Sequence, residues 1–263
     1  MAEIVILPGG PDEAKAAAGA LAADLIQGVV AAKPDAVLGL ATGSTPLPIW
    51  QALAARGIDF SRVRGFALDE YVGLPAGHPE SYRAVITREV VDTLGLIPSL
   101  VHVPGDDGGE IRTAGDRYEA AIAAAGGVDI QVLGIGRTGH IGFNEPGSSF
   151  ASRTRVKTLT EATRLDNARF FDSIDDVPRH CLTQGLGTIL AARRLVLLAF
   201  GEAKADAIAG AVEGPVSASL PGSAIQLHPE VTVLLDEAAA SRLRFADYYR
   251  YAWDNRPDWA LEL

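Results

Sequence analysis

AVLGLATGSTP, residues 36–46, is an almost unbroken apolar run that ends in small, turn-forming residues. A short run of this kind suits a strand covered on both faces. Gly43, Ser44, Thr45 and Pro46 then mark a turn into a helix, which Ser44 or Thr45 can cap and whose first turn suits Pro46. The same pattern recurs outward along the chain. Apolar runs lie at 3–7 (EIVIL), 63–68 (VRGFAL), 128–134 (VDIQVLG), 195–200 (LVLLAF) and 231–235 (VTVLL). Helical patterns lie between and around them at 11–32, 46–56, 80–95, 109–125, 180–193, 202–213 and 237–249. This alternation predicts an α/β fold, a mainly parallel sheet with helices on both faces, in one domain spanning 1–263. Ligands in such sheets bind beyond the C-terminal strand ends, so the residues after each run are the candidates for chemistry.

The 263 residues, 48% hydrophobic and 21% charged, are ordinary globular composition and enough for a substantial core. A net charge of −10 argues against a nucleic-acid partner, which would need a broad basic face. It leaves room for an anionic small molecule, because a few cations in a cleft set the local field. The single cysteine, Cys181, can form no intrachain disulfide and fits a reducing compartment. MAEIVILPGG has no basic leader region, and no apolar run approaches the roughly 18 residues of a membrane span. A cytoplasmic protein without a membrane partner is the expectation.

Three loops carry most of the chemical signal. TGSTP (42–46) presents backbone N–H groups at a helix start, a setting receptive to phosphate, although Ser/Thr-Pro begins many helices with no ligand. Asp69 and Glu70 follow the 63–68 run; alternation along a strand lets only one of them face a given cleft. A carboxylate there can act as general base if burial raises its pKa, and the plainer reading is a solvated turn or helix cap. GIGRTGHIGFNEPGSSF (134–150) contains G-x-G-x-x-G, but Gly142, Asn144 and Pro146–Gly147 break the long helix that a dinucleotide site requires. What remains is a glycine-rich loop offering His140 and Glu145 as a hydrogen-bonded imidazole–carboxylate pair. Arg169, in a polar stretch over 159–180, and Lys204, at the start of the 202–213 helix, can complete an anion pocket. That polar stretch reads as an active-site lid or as an ordinary surface helix with its loop.

In order, LGLATGSTP (38–46), LDEYVGL (68–74), HPESYR (78–83), GHIGFNEPGSSF (139–150), SRTRVKTLT (152–160), ARFF (168–171), GLGTIL (185–190), EAKADAI (202–208) and SAIQLHP (223–229) resemble the glucosamine-6-phosphate deaminase family across roughly residues 3–240. The resemblance implies isomerisation and deamination of an amino-sugar phosphate, with neither metal nor redox cofactor. It implies Asp69 as the base that moves a proton between C2 and C1, and His140, oriented by Glu145, as the group that assists ring opening. It further implies that Gly43, Ser44, Thr45, Arg169 and Lys204 hold the substrate phosphate and that 159–181 forms the lid. One position departs from the pattern. Several members carry Asp two residues before the loop His, where this chain has Thr138, which offers a hydrogen bond but no charge to the catalytic relay.

Allosteric members of the family are activated by an N-acetylated sugar phosphate, and the matching residues are Ser148, Arg155 and Lys157. The resemblance thus implies N-acetylglucosamine 6-phosphate as an activator. Period-2 spacing would put Arg153, Arg155 and Lys157 on one strand face. A homo-oligomer and a monomer both fit the family. The region 241–263 carries no matching pattern, although the complete effector site draws on it. Two other readings remain: a 6-phosphogluconolactonase, which needs no C2–C1 proton shuttle, and a sugar-phosphate-sensing regulator, which would carry an additional DNA-binding module.

Overall fold

The computed structural model describes residues 2–257; the outermost parts of the 1–263 domain and of the 241–263 region, Met1 and 258–263, lie outside the described residues. The chain opens with β1 (Ala2–Leu7), α1 (Pro11–Ala32), β2 (Val37–Leu40), α2 (Leu47–Ala54) and β3 (Arg64–Ala67). It passes directly into β4 (Asp69–Val72), then α3 (Tyr82–Ile86), a π-helical turn and the short α4 (Asp92–Leu94). Next come β5 (Val101–His102), α5 (Ile111–Ala124), β6 (Ile130–Gly134), β7 (Arg155–Thr158), α6 (Glu161–Asn167) and β8 (His180–Thr183). α7 (Leu186–Ile189), β9 (Leu195–Ala199), α8 (Ala205–Val212), β10 (Val231–Asp236) and α9 (Ala246–Asp254) complete the order.

The main sheet has seven strands in the order β1-β10-β9-β6-β2-β3-β5, every neighbouring pair parallel. Its inner strands are wholly buried, as their apolar sequences require: β2 (VLGL) and β9 (LVLLA) expose no residue. Connectivity runs outward in opposite directions from the adjacent pair β2 and β6, since β3 and β5 lie on one side and β9 and β10 on the other. Divergence of this kind opens a crevice at the C-terminal strand ends. TGSTP leaves β2 into that crevice, and GIGRTGH leaves β6 into it.

α1 is long and apolar enough to cross a membrane by length and composition alone, contrary to the reading of the sequence. Its apolar face is committed elsewhere. Ala14, Ala18, Ala22, Ile26 and Val30 recur at helical spacing and belong to the main core.

The sequence did not announce a second sheet. β4, β8 and β7 form an antiparallel sheet of three strands, with Asp69 opposite Thr183 and Arg155 also opposite Thr183 across the other edge. This corrects the helix expected over 180–193: its first part is β8, and helix appears only at Leu186–Ile189. It also places Cys181, the last residue of the expected lid, buried within a strand. The helix expected over 237–249 is turns up to Phe245 and helical from Ala246 to Asp254. Two carboxylates account for the delay. Asp236 accepts from the N–H of Ala239 at 2.7 Å, and Glu213 accepts from the N–H groups of Arg244 and Phe245 at 2.8 and 3.0 Å.

Candidate active site

Asp69 stands where the chain leaves one sheet for the other. Leu68 N–H donates to Leu40 O and Gln184 N–H donates to Leu68 O, so the backbone just ahead of Asp69 is clamped between sheets. The side chains of β4 alternate as expected. Asp69 and Tyr71 are buried, and Glu70 turns the other way. There the Glu70 carboxylate accepts from the N–H groups of Tyr82 and Arg83, both at 2.9 Å, at the start of α3. Glu70 is thus an anchor for α3, in a position that suits negative charge. Asp69 faces the cleft, and burial, with Glu70 close by, pushes its carboxyl up to about 8.

The β6 loop folds back on itself through Gly136 N–H to His140 O at 2.8 Å. The imidazole of His140 lies so close over Gly136 that a Cβ at that position would sit 2.1 Å from its Cε1. That contact, rather than any pyrophosphate, explains the second glycine of the G-x-G-x-x-G stretch. Thr138 Oγ1 and His140 Nδ1 are 2.9 Å apart, and His140 Nδ1 is 3.6 Å from Glu145 Oε2. Thr138 Oγ1 also reaches Glu145 Oε2 at 3.5 Å. Thr138 therefore sits between the two members of the pair.

Glu145 is buried and connects three pieces of chain. Its Oε1 accepts from Thr160 Oγ1 at 3.0 Å and from Thr163 Oγ1 at close range. Thr160 is the N-cap of α6, accepting from Thr163 N–H at 3.2 Å. Burial alone would raise the Glu145 carboxyl; the hydrogen bonds from His140 and the threonines, with the charge on His140, outweigh it and hold the carboxyl down at about 2.

The cleft between these loops encloses about 690 Å³. Of the residues singled out from the sequence, it brings together Gly43, Ser44, Thr45, Asp69, His140, Arg169 and Lys204, with Thr138 and Glu145 behind His140. TGSTP enters it with one correction. Neither Ser44 nor Thr45 caps α2, whose N-cap position is Pro46 without a side-chain bond. The N–H groups of Gly43, Ser44 and Thr45 have no partner among the described residues, which leaves them available to an anion. Gly43, at φ +91°, supplies the left-handed backbone of this turn. Lys204 is held below the usual lysine range by burial, with Arg169 and Arg137 adding repulsion and Asp166 opposing them. Arg169 stacks over Phe170, with its Cζ 4.7 Å from the ring centroid.

Ser148, Arg155 and Lys157 lie apart from the cleft lining. Arg155 donates to Asn144 Oδ1 at 2.7 Å and to Ser148 Oγ at 3.3 Å, and Ser148 Oγ donates to Glu145 O at 2.7 Å. Arg153 does not share their face. The chain bends at Thr154, and the Arg153 guanidinium pairs with Glu119 of α5 at 2.5 Å.

Reading the sequence missed several cleft residues. Tyr82 stacks on Phe143 and lies tilted against Tyr71 in a small aromatic cluster beside α6, where Asn167 donates to Tyr71 Oη at 2.9 Å. HPESYR carried that signal, since Ser81 caps α3 and aims Tyr82 inward. Arg137 and Asp166 carried none.

The position of Thr138 yields one expected result. Thr138→Asp puts a second carboxylate within reach of His140, stabilises the imidazolium and moves the corresponding limb of the kcat/KM profile toward higher pH. Superimposable pH profiles for the two proteins would disconnect position 138 from the histidine.

Residues 10–234 match the family model described as glucosamine-6-phosphate isomerases/6-phosphogluconolactonase. The chain is 60% identical over 260 residues to a glucosamine-6-phosphate deaminase of Pseudarthrobacter chlorophenolicus, covering 98% of each. A glucosamine-6-phosphate deaminase of Bifidobacterium longum is also 60% identical, over 98% of this chain and 99% of its own. Among solved structures, a monomeric glucosamine-6-phosphate deaminase superimposes with a TM-score of 0.84 at 41% identity, covering 91% of this chain and 99% of the other. A 6-phosphogluconolactonase from Leishmania guyanensis gives 0.70 at 20% identity over 91% of this chain and 97% of its own, a likeness of fold alone.

Proposed function

Because the chain belongs to the glucosamine-6-phosphate isomerase/6-phosphogluconolactonase family, we propose that its cleft converts glucosamine 6-phosphate and water to fructose 6-phosphate and ammonia. The carrying observation is the pairing of chemistries in one cleft: a buried carboxyl raised to about 8 at Asp69, opposite an imidazole backed by a carboxylate. Lactone hydrolysis needs no proton shuttle between C2 and C1.

In this reading His140 moves a proton between the anomeric hydroxyl and the ring oxygen, which opens the sugar. Glu145 and Thr138 fix the imidazole and offset its charge. Asp69 removes the C2 proton and returns it to C1 on the same face, while the ammonium gives up one proton and O1 gains one, so that C1 becomes CH2OH and an iminium is left at C2. Water adds to that carbon and ammonia leaves. Expulsion of water by the substrate keeps the carboxyl basic, and the ammonium alongside favours its ionised form. Ammonia release from glucosamine 6-phosphate, with no release from a neutral amino sugar at the same concentration, is the direct test.

The turn at Gly43, Ser44 and Thr45, with Arg169 and Lys204, takes the substrate phosphate. Arg169→Ala and Lys204→Ala should each weaken substrate binding by about 1.5–3 kcal/mol, the scale of a charge-assisted bond. Neither should weaken binding of glucosamine itself; an equal loss for both ligands would remove the phosphate assignment. The lid reading applies to the segment ahead of β8, where Asp166, Asn167 and Arg169 border the cleft and Thr160 ties α6 to Glu145. A phosphorylated substrate and the lone buried Cys181 support a cytoplasmic setting.

Ser148, Arg155 and Lys157 are retained as a pocket for an N-acetylglucosamine 6-phosphate activator. The support is the Arg155 bond to Asn144, inside the catalytic loop, through which an effector phosphate would pull. Substrate saturation curves with and without that ligand, in the parent and in Arg155→Ala, decide it. Activation that persists undiminished in the variant places the effector elsewhere.

A further inference from the structure

Arg137 leaves β6 on the outer arm of the catalytic loop, and Asp166 closes the last turn of α6. Their side chains meet as a fork: Nε donates to Oδ2 at 3.1 Å, and Nη2 donates to Oδ1 at close range. Both residues line the same cleft as Ser44, Arg169 and Lys204. Neither is buried away; the side chains are 58% and 35% exposed. An exposed ion pair contributes little to the fold, so its position calls for another reason.

The surroundings supply one. Lys204 feels Asp166 as attraction and both Arg169 and Arg137 as repulsion, so three cations and one carboxylate lie near one another in the cleft that Ser44 also lines. Among these four groups the cations are in excess by two charges, which matches a phosphate dianion. A guanidinium fork that fits a carboxylate fits phosphate oxygens equally well.

We propose that Arg137 is a third cation for the substrate phosphate, and that Asp166 is its resident counter-ion, holding the fork in place until phosphate takes it over. The proposal rests on the deaminase reading for the identity of the substrate. Arg137 is then a binding residue, and Asp166 a positioning residue that competes with the ligand. The signs of the two substitutions separate this from a simple clasp between loop and lid. Arg137→Ala removes a ligand contact, and Asp166→Asn frees that contact, so the two should act in opposite directions. A clasp would be broken equally by either.

The experiment measures inorganic phosphate binding by calorimetry, and the KM for glucosamine 6-phosphate, in the parent, Arg137→Ala, Arg137→Lys and Asp166→Asn. Arg137→Ala should raise the phosphate Kd about tenfold, the lower end expected for one charge-assisted bond. Arg137→Lys should lose less, and Asp166→Asn should bind phosphate more tightly than the parent. KM should follow the same order, while binding of unphosphorylated glucosamine, measured by the same calorimetry, stays unchanged. An Arg137→Ala Kd within twofold of the parent overturns the proposal. So does weakening by Asp166→Asn. Should Arg137→Ala fail to fold by thermal melting, the Arg137→Lys and Asp166→Asn pair carries the same contrast. Phosphate binding does not depend on the reaction: a parent protein that releases no ammonia defeats the deaminase reading, whereas altered phosphate binding in the variants judges Arg137 separately.

Discussion

Asp69→Asn should lower kcat by about 10³-fold, within the range for removal of a general acid–base group, while a sugar-phosphate analogue binds within a few fold of its parent affinity. The amide preserves shape and removes the carboxylate proposed to carry the C2 proton, so the loss falls on the transition state. A variant that keeps more than about a tenth of parent kcat would exclude Asp69 as the base, given the acid–base range just cited. In the parent, kcat/KM should climb toward the raised carboxyl near pH 8, and the variant's residual activity should not show that limb.

The same substitution carries a second signature, in stability. The Asp69 carboxyl titrates at about 8 in the folded chain, against about 3.9 in an unfolded one. Between those values the folded state holds a proton that the unfolded state has released. Stability from this group is therefore complete below the unfolded value and is lost as pH rises through 8. Asn cannot ionise and removes the dependence. The variant's melting temperature should rise relative to the parent's between pH 4 and pH 9. Equal pH dependence in both proteins would mean that Asp69 is not a buried, raised acid. Higher stability with lost turnover marks a residue whose burial serves the chemistry at a cost to the fold.

The parts of this arrangement visible in the sequence were those set by local pattern. β2 and β9 are apolar throughout because both faces are covered, and such runs are read directly. TGSTP and GIGRTGH could be placed at strand ends because each follows such a run. The antiparallel sheet was not visible. DEYV and HCLT are mixed in polarity, and their pairing joins distant parts of the chain. HCLTQGLGTIL also reads as helix, with Leu182, Leu186 and Ile189 at helical spacing. The structure breaks that helix at Gly185, where a Cβ would meet Ser152 O at 2.1 Å; Leu186 and Gly187 N–H groups both donate to Ser152 instead. GLG lacks side chains at both glycines because residues 150–153 press on it, a contact no local pattern encodes. Arg137 and Asp166 were missed for the same reason: each looks like solvated surface until α6 folds over the loop.

Glu145→Gln is the other large effect expected, a fall in kcat of about 10²-fold with little change in phosphate binding, again within the acid–base range. Gln can still accept from Thr160 and Thr163 through one oxygen, so α6 keeps its tether. The other atom then faces Thr138 Oγ1 and His140 Nδ1 as an amide nitrogen, a donor where an acceptor stood. Both the imidazole's orientation and the offset to its charge are lost, and the proposed reaction needs these while the ring opens. A pH signature accompanies the kinetic one. The Glu145 carboxyl sits at about 2 in the folded chain, below the usual 4.3 or so. Its contribution to stability is therefore present above about pH 4.3 and lost as pH falls through 2. The parent should be the more stable protein at neutral pH, with the gap closing on acidification across that window. Substrate already in the open-chain form offers the decisive contrast: if His140 and Glu145 serve ring opening, a 5-deoxy analogue, which keeps its C1 aldehyde but cannot close the pyranose ring, should be processed by the variant nearly as well as by the parent. A variant equally slow on the analogue would move the pair to the later proton transfer.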